Sequence, residues 1–338
     1  MFWKNRPLNS VGDATALEYN DETYMYKIFY NGDSSSLLVD FINKNYSKQN
    51  LTYVYEESII EYFLTDGFWL AIYSKKFPGN IIGVIAGKNV DINTHGKCIE
   101  IDFLCVINQV RKLGVAPLLI NKATEICSSK YNIDVAIFTG HNNIGDLYFC
   151  SKSVYHRPLN LKKLVECGTI NIDEEDVEAY DKFFKTFDTT KDYNCIDNVD
   201  YAMVNKLEKQ DNIRRNYLFK KEDCFIDFMM IDTTEPATDF FRFYQVNVKN
   251  KSSGKIVKNI MLYDYVLKKY NSERFHTLLE KICEHVHVNN LYDQISFYKP
   301  FTTDIGDKYT VAKPPLYYYM FNKHLDMMKP DQVQITPL

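Results

Sequence analysis

An arginine, a glycine and an alanine spaced Arg111-x-x-Gly114-x-Ala116 stand between a strand pattern and a helix pattern, an order that suits an anion-binding loop. A helix N-terminus leaves backbone N–H groups unpaired and carries a partial positive charge, so it attracts anions. Gly114 lets a ligand approach the backbone closely. Arg111 and Lys112 add charge beside it, and together these residues would make a pyrophosphate cradle. A short pattern with one glycine is a modest signal, and a tight turn carrying a surface arginine fits it about equally well. Cys105 invites a nucleophile reading, but it falls on the apolar face of the strand, where a small buried packing residue is expected. The eight cysteines include no C-x-x-C pair, and His285-Val-His287 has no partner ligands close by in sequence. No metal site is therefore expected.

The elements that hold this loop follow from periodicity. Ile99, Ile101, Phe103, Cys105 and Ile107 alternate with Glu100, Asp102, Leu104 and Val106, which predicts a partly buried strand with the first set on one face. Pro117 suits a first helical turn, and Ala116, Leu119, Ile120, Ala123 and Cys127 follow helical spacing. Strands are predicted at Phe68–Tyr73, Ile81–Ala86 and Val135–Phe138, the last ending in Thr139-Gly140. The first fifty residues read as irregular apart from a helix over Ser35–Tyr46. Asp173-Glu174-Glu175-Asp176 reads as a solvated helix start favoured by the dipole. Cys224–Ile231 and Phe240–Val248 read as strands and Thr277–His287 as a helix, so the second half repeats the style of the first.

The pattern predicts an α/β chain with a mixed sheet, divided into halves of 1–165 and 166–338. The 338 residues suffice for one large domain or two ordinary ones. A hydrophobic share of 46% with 25% charged residues marks a globular protein. The net charge of −4 gives no bulk reason to expect nucleic acid as a partner. With no long apolar run and no signal peptide, a membrane span is not expected, and a reduced, cytoplasmic compartment is the simplest reading.

Larger blocks sharpen the reading. The Arg111–Ala116 loop is similar to the acyl-CoA loop of the GNAT acyltransferase superfamily. Glu100–Val106 (EIDFLCV), the RKLGVAP loop and Tyr155–Leu164 (YHRPLNLKKL) together resemble the glycylpeptide N-myristoyltransferase family. Phe2-Trp3, Asn45-Tyr46, Thr238-Asp239-Phe240 with Phe243-Tyr244, and Leu316–Asn322 (LYYYMFN) resemble further family segments in the same order. The resemblance covers nearly the whole chain and implies two GNAT-like halves in one compact fold, the first holding myristoyl-CoA and the second the peptide.

It also implies roles. The family moves a myristoyl group from its CoA thioester to an N-terminal glycine amine. Phe103 and Leu104 would donate two backbone N–H groups to the developing oxyanion, which requires the strand to leave regular pairing there. Phe2, Trp3, Phe103, Leu104, Cys105, Val106 and the run Arg111, Lys112, Leu113, Gly114, Val115, Ala116 and Pro117 would line the CoA site. The base would be the carboxylate of Leu338, which lies 16 residues after Asn322. Thr139 and His156 match positions near the glycine end of the peptide, and Tyr46, Tyr244, Tyr263 and Tyr318 would line its groove. Myristoyl-CoA is a co-substrate, with no permanently bound cofactor and no metal.

Some positions depart from the family. Its acidic loop is shortened to Ser47-Lys48-Gln49, a small serine becomes Arg242, an acidic residue corresponds to Lys313, and an asparagine becomes Asp102. The first three would move the groove toward positive charge and away from basic peptides. Asp102 would assist the base or pair with a neighbour. A non-catalytic acyl-CoA or lipid-binding protein of the same fold, and an acyltransferase acting on lysine, stand as alternatives. The Asn, Lys, Tyr and Ile content suits an AT-rich viral or parasite genome.

Overall fold

The computed structural model describes residues 6–12, 23–48, 50–93, 95–187, 193–207, 209, 212–234, 237–303 and 306–338. The chain opens with β1 (Tyr24–Tyr30), α1 (Ser35–Asn45), β2 (Ser47–Lys48), β3 (Leu51–Tyr55) and α2 (Glu57–Leu64). Then come β4 (Gly67–Ser74), β5 (Phe77–Ile92), β6 (Gly96–Val106), α3 (Val115–Tyr131), β7 (Ala136–Gly140), β8 (Cys150–Pro158) and α4 (Leu161–Cys167). The middle holds α5 (Val177–Phe184), β9 (Tyr193–Ile196), α6 (Tyr201–Val204) and β10 (Ile213–Arg214). It continues through β11 (Phe225–Asp232), β12 (Ala237–Asn250), β13 (Ile256–Val257) and β14 (Asn259–Val266). The last elements are α7 (Ser272–Val288), β15 (Gln294–Tyr298), β16 (Thr310–Phe321) and β17 (Val333–Gln334).

Among the described residues one mixed sheet dominates, in the order β1-β4-β5-β6-β7-β16-β8-β15-β14-β12-β11-β9, with β2, β3 and β13 attached beside β12. A parallel strand pair with a helical crossover occurs early and again late in the chain. β6 and β7 are parallel and joined through α3, and β14 and β15 are parallel and joined through α7. A parallel pair needs such a crossover, and its helix covers one sheet face. On that face α3 buries Val115, Leu118, Leu119, Ala123 and Ile126 against Phe68, Leu70, Ile72 and Ile85. β16, from the second half, pairs with both β7 and β8 of the first. The sheet is therefore continuous through both halves, and residue 165 lies inside α4.

The first fifty residues are more regular than their sequence suggested. β1, YMYKIFY, pairs antiparallel with β4 from Tyr24↔Ser74 to Tyr30↔Phe68. Its alternation is masked because both faces are largely aromatic or apolar: Phe29 stacks on Trp69 at 4.1 Å while Tyr24, Tyr26, Ile28 and Tyr30 pack against the α3 side. The acidic run does open a helix, through a 3₁₀ turn at Glu174–Asp176 that leads into α5.

The last residues of the chain are buried from Val333 to Leu338. β17 pairs parallel with β10, Ile213↔Val333 and Arg214↔Gln334. Beyond it the tail has no ladder, and side chains meet its carbonyls. Arg215 donates to Thr336 O at 2.7 Å and, through Nε, to Glu100 Oε2 at 2.8 Å. Both members of this ion pair are buried. Removing one partner of a buried pair leaves an uncompensated charge. Arg215→Ala is expected to lower the unfolding free energy by about 3 kcal/mol or more, read by urea denaturation at neutral pH. A loss below about 1 kcal/mol, the range of an exposed pair, would show that this contact does not hold the tail.

Candidate functional site

The site forms where β6 stops being regular. Against β5, the register runs Ala86↔Asp102 and then Val84↔Cys105, so Phe103 and Leu104 together oppose Ile85. The extra residue is a β-bulge, and Phe103 sits at φ +54°, the left-handed region that a bulky side chain seldom adopts. The bulge also corrects the single-face alternation expected from sequence. Ile99 packs in the cluster under α3, whereas Phe103 and Cys105 join a second cluster with Tyr55, Phe63 and Leu338. One inserted residue reverses which face each later side chain takes. Leu104 is left half-exposed, and Phe103 is held edge-on by Tyr55 and Phe63. Cys105 is buried as expected, and burial pushes its thiol up to about 11 despite nearby Arg111, so it is not a thiolate nucleophile.

The loop after β6 turns tightly into α3. Arg111 Nε donates to Val106 O at 2.9 Å, which ties the loop back to the strand end. Lys112 and Gly114 both have positive φ, +70° and +85°, and no heavy atom lies within 4 Å of where a Gly114 Cβ would stand. Gly114 is the residue before the first turn of α3, as a helix N-terminal anion site needs. A cavity of about 370 Å³ opens here, lined by Val106, Val110, Arg111, Lys112, Gly114, Val115, Ala116 and Pro117. Leu113 lies at the surface of the same loop. Phe2 and Trp3, expected beside this loop, lie outside the described residues.

On the other side of the bulge, β6 and β7 separate. Their parallel register covers Ile99↔Ala136 to Ile101↔Phe138. Beyond it the chain end approaches: Leu338 N–H donates to Asp102 Oδ2 at 3.0 Å. Tyr318 Oη donates to Ile335 O at 2.8 Å and Tyr244 Oη to Pro337 O at 3.2 Å. A cavity of about 10 Å³, near the size of one water, lies among Glu100, Asp102, Thr139, Ile335 and Pro337. The bulge, Thr139, Asp102 and the chain end thus meet at one place, and the Arg111–Pro117 loop follows a few residues after the end of the same strand.

The tyrosines expected in a peptide groove divide. Tyr46 is partly exposed. Tyr244 and Tyr318 are buried and spend their hydroxyls on the tail, and Tyr263 is buried under the Arg215 guanidinium, 4.6 Å from its ring centre. They form the wall behind the tail. His156 is linked to Ser296 Oγ at 2.7 Å, and burial lowers its pKa to about 4, so it is neutral. Lys313 falls in β16 at a register shift between Ala312 and Leu316. Arg242 corrects the expected positive groove. It is 1% exposed, bonded to Asp227 through Nε at 2.9 Å and Nη2 at 2.6 Å, and packed over Phe225 at 4.5 Å. Its charge is matched inside the protein.

Sequence reading missed the residues that seat the tail: Glu100, Arg215 and Lys152, which donates to Val333 O. The adjacent Arg214-Arg215 was the available signal, since two arginines beside apolar sequence need buried partners. His285 has closer company than its sequence neighbours implied. Its Nε2 lies 3.1 Å from Asp197 Oδ1, and Cys195 completes a cluster whose donor atoms lie within 4.8 Å of one another, near the sheet edge at β9.

Comparison with known proteins joins these observations. A family profile described as Myristoyl-CoA:protein N-myristoyltransferase, N-terminal domain, matches residues 14–149. A protein of Acanthamoeba polyphaga mimivirus named as a glycylpeptide N-tetradecanoyltransferase is 24% identical over 279 residues, covering 76% of this chain and 74% of its own. The glycylpeptide N-tetradecanoyltransferase of Kluyveromyces lactis is 23% identical over 266 residues, covering 71% of this chain and 57% of its own. In fold, the chain is similar over its whole length to Saccharomyces cerevisiae N-myristoyltransferase solved with bound myristoyl-CoA, with a TM-score of 0.76, 18% identity and 94% of that chain covered. A second structure of that enzyme, with myristoyl-CoA and inhibitors, gives a TM-score of 0.79 at 18% identity over 96% of its length. The mixed sheet with two crossovers is thus similar in fold to solved N-myristoyltransferases, and residues 14–149 match the N-terminal domain of the N-myristoyltransferase family.

Proposed function

We propose that the chain transfers myristate from myristoyl-CoA to the N-terminal glycine amine of proteins or peptides, with the first half holding the acyl-CoA and the second contributing the peptide side and the tail. The observation that carries this reading is the meeting of the Phe103–Leu104 bulge with the seated chain end, through the 3.0 Å bond from Leu338 N–H to Asp102. The Arg111–Pro117 loop and the α3 N-terminus bind the CoA phosphates, as their charge and open cavity suggest. The backbone N–H groups of Phe103 and Leu104 receive the thioester oxygen as it becomes an oxyanion. A bulge supports that role because it turns backbone groups away from the ladder.

The glycine arrives as an ammonium, whose pKa is near 7.7–8.0. The Leu338 α-carboxylate takes one proton, and the freed nitrogen lone pair attacks the thioester carbon. The C–N bond forms as the carbonyl π pair moves onto oxygen. Collapse re-forms C=O and expels the CoA thiolate, which takes the second proton from the nitrogen. The products are the myristoyl amide and CoA thiol, with one proton released to solvent from the carboxylate. Each oxyanion donor contributes about 3 kcal/mol to such a transition state, and a base contributes roughly 10²–10⁴-fold. No side-chain nucleophile is required, in keeping with the inert Cys105.

Two experiments test this. Intact-mass analysis after incubation with myristoyl-CoA should show acylation of a glycine-initiated peptide at its α-amine, and none of an N-acetylated peptide whose sole amine is a lysine. Acylation of the lysine peptide alone would favour the other acceptor. Appending one glycine after Leu338 should move the carboxylate by about 3.8 Å, one residue's reach, and lower kcat/KM by roughly 100-fold or more while myristoyl-CoA still binds. Full activity in the extended chain would remove Leu338 as the base.

A further inference from the structure

Asp102 stands where the resemblance expects a neutral amide, and its place in the fold gives the substitution a chemical consequence. Its Oδ2 accepts the N–H of Leu338 at 3.0 Å. By backbone dimensions, both oxygens of the Leu338 α-carboxylate then lie within about 7 Å of that atom. The two carboxyl groups are therefore close neighbours, and Asp102 also lines a small cavity with Glu100, Thr139, Ile335 and Pro337. Like charges that close in a poorly solvated place oppose joint ionisation, and their protons belong to the pair.

We propose that Asp102 and the Leu338 α-carboxylate work as one carboxyl pair that, when doubly ionised, accepts a single proton from the glycine ammonium, with Asp102 as the positioning residue whose charge makes the terminal carboxylate a stronger base. This rests on the reading of Leu338 as the base. An isolated α-carboxyl, with a pKa near 3.3–3.7, is poorly matched to an ammonium near 7.7–8.0. A neighbouring carboxyl raises the match.

The surroundings are consistent with a shared proton. Burial first and the Glu100 charge second push the Asp102 carboxyl well above its ordinary 3.8, while the Leu338 N–H and Arg215 act in the opposite sense. Arg215, the nearby cation, is already paired with Glu100. Among the described residues, the other titratable groups that interact with Asp102 are the tyrosines Tyr46 after α1, Tyr55 on β3, Tyr244 on β12 and Tyr298 on β15. Burial holds Tyr55, Tyr244 and Tyr298 above their ordinary value, and all four are neutral phenols at neutral pH. None supplies a charge that would neutralise a second carboxylate.

Asp102→Asn tests the pair, because an amide oxygen can still accept the Leu338 N–H while the second carboxyl is gone. The acidic limb of the kcat/KM profile is expected to move to lower pH by about one to two units, with myristoyl-CoA affinity unchanged. Stability gives a readout independent of turnover. A carboxyl whose folded value is raised contributes most below its unfolded value and loses that contribution as pH rises through the folded one. Unfolding free energy should therefore decline less from pH 4 upward in Asp102→Asn than in the parent. An unmoved acidic limb in Asp102→Asn, with the glycine-extended chain inactive, would overturn the pair and leave Leu338 as a lone base. An active extended chain would overturn the base reading itself, and the pair with it.

Discussion

The structure depends on the satisfaction of a buried, irregular chain end. Backbone groups removed from water must find partners, and beyond β17 the tail has no strand to supply them. Side chains from distant elements do so: Tyr318 of β16 for Ile335, Arg215 after β10 for Thr336, Tyr244 of β12 for Pro337 and Asp102 of β6 for Leu338, while Lys152 of β8 reaches Val333 within β17. Gln334 inserts its amide among Asn212, Asp264 and Tyr265 O. These partners come from both halves of the chain. The tail thereby fastens the halves together and is fixed at the point where β6 and β7 diverge.

That constraint explains several buried charges that would otherwise be costly. Glu100 and Arg215 are paired and face the tail, and Arg214 is paired with Asp264, which also accepts Gln334 and the Tyr217 hydroxyl. Charges taken out of water are tolerable only when paired and hydrogen-bonded. Here each pair also orients a group that touches the tail. The positive φ of Phe103 belongs to the same region, and its backbone strain is held in place by the aromatic packing of Tyr55 and Phe63.

Much of this was legible in the sequence. The strand, loop and helix from Ile99 to Cys127 followed from period and turn chemistry, and the α3 cavity falls on the residues expected to hold an anion. The bulge was not legible by periodicity, because Phe103 and Leu104 continue an acceptable alternation, and only the register against β5 reveals the extra residue. β1 was missed because its aromatic residues occupy both faces. Arg242 was misjudged for a different reason. Charge on one residue says nothing of the groove until its partner is known, and Asp227 lies directly across the β11–β12 ladder from it. The tail's anchors and the Cys195–Asp197–His285 cluster join separate stretches of the chain, so spacing alone does not bring them together.

The central claim is that the β6 bulge and the seated Leu338 form one reaction centre, and a crystal structure with a ketone analogue of myristoyl-CoA and a glycine-initiated peptide tests it most directly. The account predicts the ketone oxygen within about 3 Å of the N–H groups of both Phe103 and Leu104, with the peptide amine at hydrogen-bond distance from the Leu338 carboxylate. A ketone bound away from the bulge, or a tail displaced so that the amine meets another base, would contradict it.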